Sequence, residues 1–173
     1  VREHLVRAST FDFISTSAGI SVGEHDYVRD VLTGLGAEMK FWRVRMRPGA
    51  PIGFGLLAGV PWIGLPGNPV STMVTFELFC RPAIRKLLGH TALFRRPFDV
   101  TMEGPVTINA PLMHFLRAVV TTSATQRSAR LTGPQSSGIL TSMSMANALL
   151  VIPADRQRIE AGETVRALPL SDD

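Results

Sequence analysis

Two prolines, a glycine and an asparagine fall within Leu65-Pro66-Gly67-Asn68-Pro69-Val70-Ser71, between an apolar run from Val60 and an amphipathic run from Met73. Few backbones satisfy that order. It predicts a strand, a tight turn at Pro66 and Gly67, an N-cap at Asn68 and a helix starting at Pro69, where a missing N–H costs nothing. Such a turn aims free backbone N–H groups and the positive end of a helix dipole at one spot, and Gly67 lets a ligand come close to the backbone. On turn chemistry alone, a capped helix after a buried strand is the plainer reading.

A second unit of the same kind precedes it. Phe11 to Thr16 is β-prone, residues 17–26 form a loop with glycines near both ends, and Tyr27, Val28, Val31, Leu32 and Leu35 follow helical spacing up to Gly36. Glu38 to Met46 alternates like a strand, Arg47 to Pro51 is a turn, and Ile52 to Leu57 is another short strand. If the first of these strands stays regular, Arg43, Arg45 and Arg47 project from one face, either around an anion or as the charged edge of a sheet. The helix from Pro69 should run to about Leu88, with a kink or restart at Pro82 and a stop at Gly89. Strands alternating with helices predict an α/β layer with a mainly parallel sheet, in which ligands bind beyond the carboxyl ends of the strands.

The pattern changes at about Ala92. Short strands are expected at Phe98 to Met102, Phe115 to Thr122, Ala148 to Ile152 and Glu163 to Leu168, separated by clusters such as Gly133-Pro134-Gln135-Ser136-Ser137-Gly138. That spacing suits a small β-sandwich or open barrel, with a boundary near residues 90–97. Of the 173 residues, 45% are hydrophobic and 18% charged, as in a packed soluble chain. A net charge of +4 favours phosphate- or oxyanion-bearing ligands but falls short of a nucleic-acid binder. No run reaches membrane-spanning length and no targeting segment opens the chain, so a cytoplasmic location is the default. Cys80 lies in a helical pattern and reads as a buried, inert thiol. The histidines have no metal-ligand spacing. The absence of an initiator Met reads as a piece of a longer protein.

Three stretches in order, Ser15-Thr16-Ser17-Ala18-Gly19-Ile20-Ser21-Val22-Gly23-Glu24-His25-Asp26-Tyr27, Phe41-Trp42-Arg43-Val44-Arg45-Met46-Arg47-Pro48-Gly49 and the Leu65 to Ser71 turn, closely resemble the molybdopterin molybdenumtransferase family (the MoeA and gephyrin E-domain group). Phe115-Leu116-Arg117 and the stretch from Ser136 to Leu150 resemble its C-terminal β domain. The resemblance implies an α/β fold: a partial three-layer, MogA-like molybdopterin-binding domain over residues 1–92, then a small all-β, barrel-like domain over 93–173. It implies insertion of molybdate into adenylylated molybdopterin with release of AMP and with magnesium assisting, a homodimer in the whole protein, and contact with other molybdenum cofactor biosynthesis proteins. Nucleic acid and membrane are not implied partners.

By the same resemblance, Ser17, Gly19, Ser21, Gly67, Asn68, Pro69 and Ser71 bind the pterin and its phosphate. Arg43, Arg47 and Arg117 hold molybdate, with Ser142 and Ser144 both candidates for a hydroxyl beside Arg117. Asp26 is the acidic residue of metal insertion and the magnesium ligand. Together these would line one pocket. The family commonly has Lys where this chain has Arg43 and Arg47, and Gly where it has Ala18, which would crowd the backbone if positive φ is needed there. Two other readings stand beside the enzyme: a non-catalytic molybdopterin- or molybdate-binding scaffold, and a sister adenylyltransferase, against which the appended β domain argues.

Overall fold

A computed structural model describes residues 1–20 and 27–171. The chain divides into two compact units: residues 1–44 with 49–93, and residues 45–48 with 94–173. No helix among the described residues is long and apolar enough to cross a membrane.

In the first unit the elements run α1 (Arg2–Ala8), β1 (Ile14–Ser17), α2 (Tyr27–Gly34), β2 (Glu38–Phe41), and then, past a two-residue strand β3 (Met46–Arg47) that belongs to the other unit, β4 (Gly53–Leu57), β5 (Val60–Leu65), α3 (Pro69–Thr75) and α4 (Arg81–Leu87). The sheet order is β1-β5-β4-β2. Only β1 and β5 pair in parallel; β5 with β4 and β4 with β2 are antiparallel, which corrects the expected mainly parallel sheet. The cause is local: β4 and β5 are joined by the two-residue turn Ala58-Gly59, and a hairpin can only be antiparallel.

Alternation splits the sheet's side chains between two cores. Ile14, Leu57 and Trp62 pack with Leu5 of α1, Leu32 of α2 and Ile20, whereas Ile63 and Leu65 pack with Ile52 and Cys80. Each fully buried aliphatic such as Leu32 or Val70 contributes of the order of 2 kcal/mol. Helix α2 stops where Gly36 takes a φ of +75°, so that the Ala37 N–H reaches Leu32 O at 2.9 Å and the Gly36 N–H reaches Thr33 O at 3.0 Å. Between α3 and α4, residues Phe76–Cys80 widen into a π-turn. Pro82 lacks an N–H and its ring presses on the carbonyl four residues back, and the wider turn relieves that clash.

The second unit holds β3 with β6 (Phe98–Met102), β7 (Val106–Thr107), β8 (Met113–Thr122), β9 (Arg127–Leu131), α5 (Leu140–Ser144), β10 (Ala148–Ile152), β11 (Arg158–Ile159) and β12 (Thr164–Pro169). Its sheet runs β10-β12-β6-β9-β8-β3, and a further β10–β8 pairing closes five strands into a barrel around Val100, Met102, Leu116, Ala118, Leu150 and Ile152. The barrel-like domain that the resemblance implies is present, and it is closed, where strand spacing alone allowed a sandwich or an open barrel. The ten-residue β8 makes closure possible: His114 to Ala118 pair with β10, Ala118 to Thr122 with β9, and Met113 and His114 with β3.

Candidate functional site

In the first unit the two expected loops meet. Parallel pairing aligns Ser17 with Leu65, and the ladder continues one residue further through Ala18 N–H to Leu65 O at 3.0 Å. Both turns therefore leave the sheet side by side at carboxyl ends of parallel strands. Pro66 O accepts the Thr72 hydroxyl at 2.5 Å and faces the Ser17 hydroxyl at 3.5 Å. A side chain added at Gly67 would meet Ala18 Cβ at 3.1 Å.

Ala18 and Gly19 both take left-handed backbones, with φ of +67° and +73°. The positive φ that would favour Gly at position 18 is thus present, and Ala18 carries the strain. At Gly19 no side chain fits, because a Cβ would lie 2.5 Å from Val28 Cγ2. Ser17, Ala18, Gly67, Asn68 and Pro69 are exposed and Gly19 is half-buried, so this backbone faces solvent. Ser71 is buried and so is not part of that solvent-facing surface. Ser21 and Asp26 lie outside the described residues.

The arginine stretch departs from expectation. The strand breaks after Phe41 and resumes only as β3, so the regular strand that would align Arg43, Arg45 and Arg47 does not form. Arg43 stays in the first unit, while Arg45 and Arg47 belong to the second. All three are exposed, and among the described residues no carboxylate ion-pairs Arg43 or Arg47. Pairing of β3 with β8 sets Arg47 opposite His114. Side chains alternate along β8, so Arg47 shares a face with His114 and Leu116, and Arg117 emerges on the other. Burial is the main cause that lowers the pKa of His114; its hydrogen bond to Ala110 O opposes this, and the Arg47 charge adds to it.

Arg117 is the one charged side chain among the described residues that is wholly buried, at 0% exposure. Its Nε–H donates to Ser142 Oγ at 3.0 Å, Nη1 to Gln135 O at 3.2 Å and Nη2 to Ser136 O at 3.0 Å. All three acceptors are neutral. The alternative in which Arg117 pairs with a carboxylate is not what forms: no described carboxylate lies within ion-pair distance. Burial pulls its pKa down from the usual guanidinium value, yet an arginine keeps its charge in proteins. A guanidinium has five N–H hydrogens, so two remain beyond these bonds.

Geometry also separates the two serines. Ser142 accepts from Arg117 and donates its own O–H to Ile139 O at 2.6 Å, whereas Ser144 is exposed and donates to Thr141 O within its own helix at 3.0 Å. Ser142 thus steadies the guanidinium instead of offering a free donor. In the sequence, residues 133–138 read as a turn cluster whose end at Ser136 begins a family-like stretch, with no role assigned to Gln135 or Ser136, whose backbone carbonyls hold the arginine. The available signal was Arg117 itself, a cation inside the apolar run Phe115 to Val120, which had to be satisfied by something.

Residues 1–86 match the family described as the probable molybdopterin binding domain, and residues 99–170 match the MoeA C-terminal region (domain IV). A molybdopterin molybdenumtransferase of Staphylococcus aureus is 30% identical over 154 residues, covering 89% of this chain and 37% of the relative. Molybdopterin molybdenumtransferase 2 of Mycobacterium tuberculosis is 34% identical over 165 residues, 92% of this chain and 40% of the relative. The chain spans about two fifths of the length of these curated relatives. Among solved structures, the molybdopterin biosynthesis moeA protein of Pyrococcus horikoshii superposes with a TM-score of 0.74 at 22% identity, over 98% of this chain and 38% of that one. A molybdenum cofactor biosynthesis protein of Pyrococcus furiosus gives 0.72 at 23%, over 97% and 53%. These two share the fold: a mixed α/β part like that of MogA, then a closed β barrel. With the two family models matched one after the other along it and curated relatives of that name aligned over most of it, the chain belongs to the molybdopterin molybdenumtransferase (MoeA) family.

Proposed function

We propose that the protein acts in molybdenum cofactor biosynthesis by inserting molybdate into adenylylated molybdopterin, with release of AMP. The observation that carries this reading is Arg117: a cation wholly buried against neutral acceptors. An ion held this way is stabilised by an arriving anion, since the desolvation cost is already met and no counter-charge competes. Molybdate, a tetrahedral dianion, suits the two remaining N–H hydrogens and the field of the guanidinium. In the first unit the adjoining turns at Ser17 to Gly19 and Gly67 to Pro69 suit a pterin phosphate, because Gly67 lets an anion approach and its uncharged N–H, with that of Gly19, supplies donors, the Ala18 N–H being given to Leu65 O and Pro69 having none.

Asp26 would position the water or molybdate oxygen that attacks the phosphate. In that step a new P–O bond forms, the bond to the adenylyl group breaks, and AMP leaves. Among the described residues no group of three or more His, Cys, Asp or Glu could hold a metal ion. Asp26, the magnesium ligand that the resemblance implies, lies outside the described residues, and no step is routed through magnesium.

The test is molybdate-dependent AMP release from adenylylated molybdopterin. Asp26→Asn should lower the rate by about 100-fold or more, and Arg117→Lys should weaken molybdate binding by about tenfold in calorimetry. Wild-type turnover by Asp26→Asn would sink the role of Asp26. Unchanged molybdate affinity in Arg117→Lys would move the anion elsewhere.

A further inference from the structure

Past the Ala118–Leu131 pair the β8–β9 ladder is only half complete at Arg117: its carbonyl accepts Thr132 N–H at 3.1 Å and the Thr132 hydroxyl at 3.2 Å, while its own N–H goes to no residue of β9 or β3. A side chain completes the ladder. The Gln135 carboxamide accepts the Arg117 backbone N–H at Oε1 (2.8 Å) and donates from Nε2 to Arg117 O (3.2 Å) and Gly133 O (2.9 Å). The Arg117 N–H needs an acceptor and the Gly133 carbonyl a donor, so only this orientation of the amide satisfies both, and its bond to Arg117 O adds to those from Thr132. The Gln135 backbone carbonyl accepts the Arg117 guanidinium at Nη1. Gln135 thus grips Arg117 at both ends, backbone and head group, and Ser136 O adjoins it at Nη2.

The barrel contains its own comparison. Asn147 fills a gap on the opposite edge of β8 in the same manner, with Oδ1 accepting Val120 N–H at 2.7 Å and Nδ2 donating to Val120 O at 2.9 Å. Asn147 makes no bond to a guanidinium. If Gln135 served only to complete the ladder, the two amides would be equivalent. They differ in that one fixes the direction of a buried cation.

We propose that Gln135 is a positioning residue that sets the direction of the Arg117 fork and thereby the molybdate affinity of the protein. This rests on the reading of Arg117 as the oxyanion-holding group. The two bonds between the carboxamide and Arg117 stop the strand from shifting, and the Gln135 carbonyl stops the guanidinium from turning. Free N–H hydrogens then stay in one place for a tetrahedral oxyanion, at no ordering cost when it binds.

The experiment measures molybdate affinity by calorimetry and melting temperature in parallel, for wild type, Gln135→Ala, Asn147→Ala, Arg117→Lys and the double variant Gln135→Ala with Arg117→Lys. Gln135→Met, which keeps the bulk without the amide, takes the place of Gln135→Ala if the latter fails to fold. Both amide deletions should lower the melting temperature. Only Gln135→Ala should weaken molybdate, by about tenfold, and it should add nothing in the Arg117→Lys background, which has no fork to orient. Equal losses of affinity in Gln135→Ala and Asn147→Ala, or an unchanged affinity in Gln135→Ala, would overturn the proposal while leaving Arg117 as the anion group. Wild-type affinity in Arg117→Lys would overturn the reading beneath it, and the proposal with it.

Discussion

Neighbouring residues at the head of the β1 loop offer a test in which two small substitutions should act in opposite directions. Gly19 has a φ of +73°, a backbone that costs an L-residue about 1–2 kcal/mol. Alanine there would also drive its Cβ to 2.5 Å from Val28 Cγ2 and 3.3 Å from Val28 Cβ. Val28 is β-branched and held in α2, so its side chain has little freedom to turn away, and such overpacking costs about 1–3 kcal/mol. A less flexible unfolded chain returns about 0.4–1 kcal/mol. Gly19→Ala should therefore destabilise the first unit by about 3 kcal/mol, a fall of about 1.5 M in urea midpoint for a slope near 2 kcal/mol per M. Ala18→Gly removes the strain of φ +67° against a similar entropic loss, for a gain of about 0.5 kcal/mol. Both tryptophans, Trp42 and Trp62, lie in the first unit and stack with centroids 6.1 Å apart, so their emission follows its unfolding. A Gly19→Ala midpoint within about 0.3 M of wild type, or shifts of the same sign in both variants, would refute the reasoning.

Two more outcomes follow from buried groups. His114 has a folded pKa below its ordinary value, so below about pH 6.5 the unfolded chain takes up a proton that the folded chain refuses. Stability should be level above that pH, fall as pH drops through it and level off below the folded value; His114→Gln should flatten that slope in denaturant titrations between about pH 5 and 7. Burial, opposed weakly by the contact with Ser15, raises the Cys80 thiol to about 11. Native protein should resist a thiol reagent at pH 8 and react fully once unfolded; rapid native labelling would contradict the burial of that helix face.

What could be read in the sequence was what short-range chemistry decides. The Pro66 to Pro69 turn, the stop at Gly36 and the break near Pro82 each depend on the φ limits of one or two residues, and the structure has all three. Strand β9, Arg127-Ser128-Ala129-Arg130-Leu131, gave no apolar alternation because only Ala129 of it is buried in the barrel core. Strand β3 was missed for another reason: two residues carry no period, and their place beside Met113 and His114 depends on a partner far along the chain. Arg117 could be picked out as a cation in an apolar run. The carbonyls and carboxamide that hold it could not, since a backbone carbonyl has no signature in the sequence and Gln135 looks like any other loop amide.

The detour at residues 45–48 also bears on how the molecule is made. Met46 and Arg47 leave the ribosome well before Met113 and His114, the residues they pair with, while the chain on both sides of them joins the first unit. Synthesis adds about 5–20 residues per second, so this short strand waits for seconds with its hydrogen-bonding edge unmatched. The five barrel strands all come later in the chain, and the sheet gains its sixth, edge strand from a stretch translated within the first unit, which makes the order of assembly a property of the fold and a peptide of residues 94–173 an incomplete copy of the second unit.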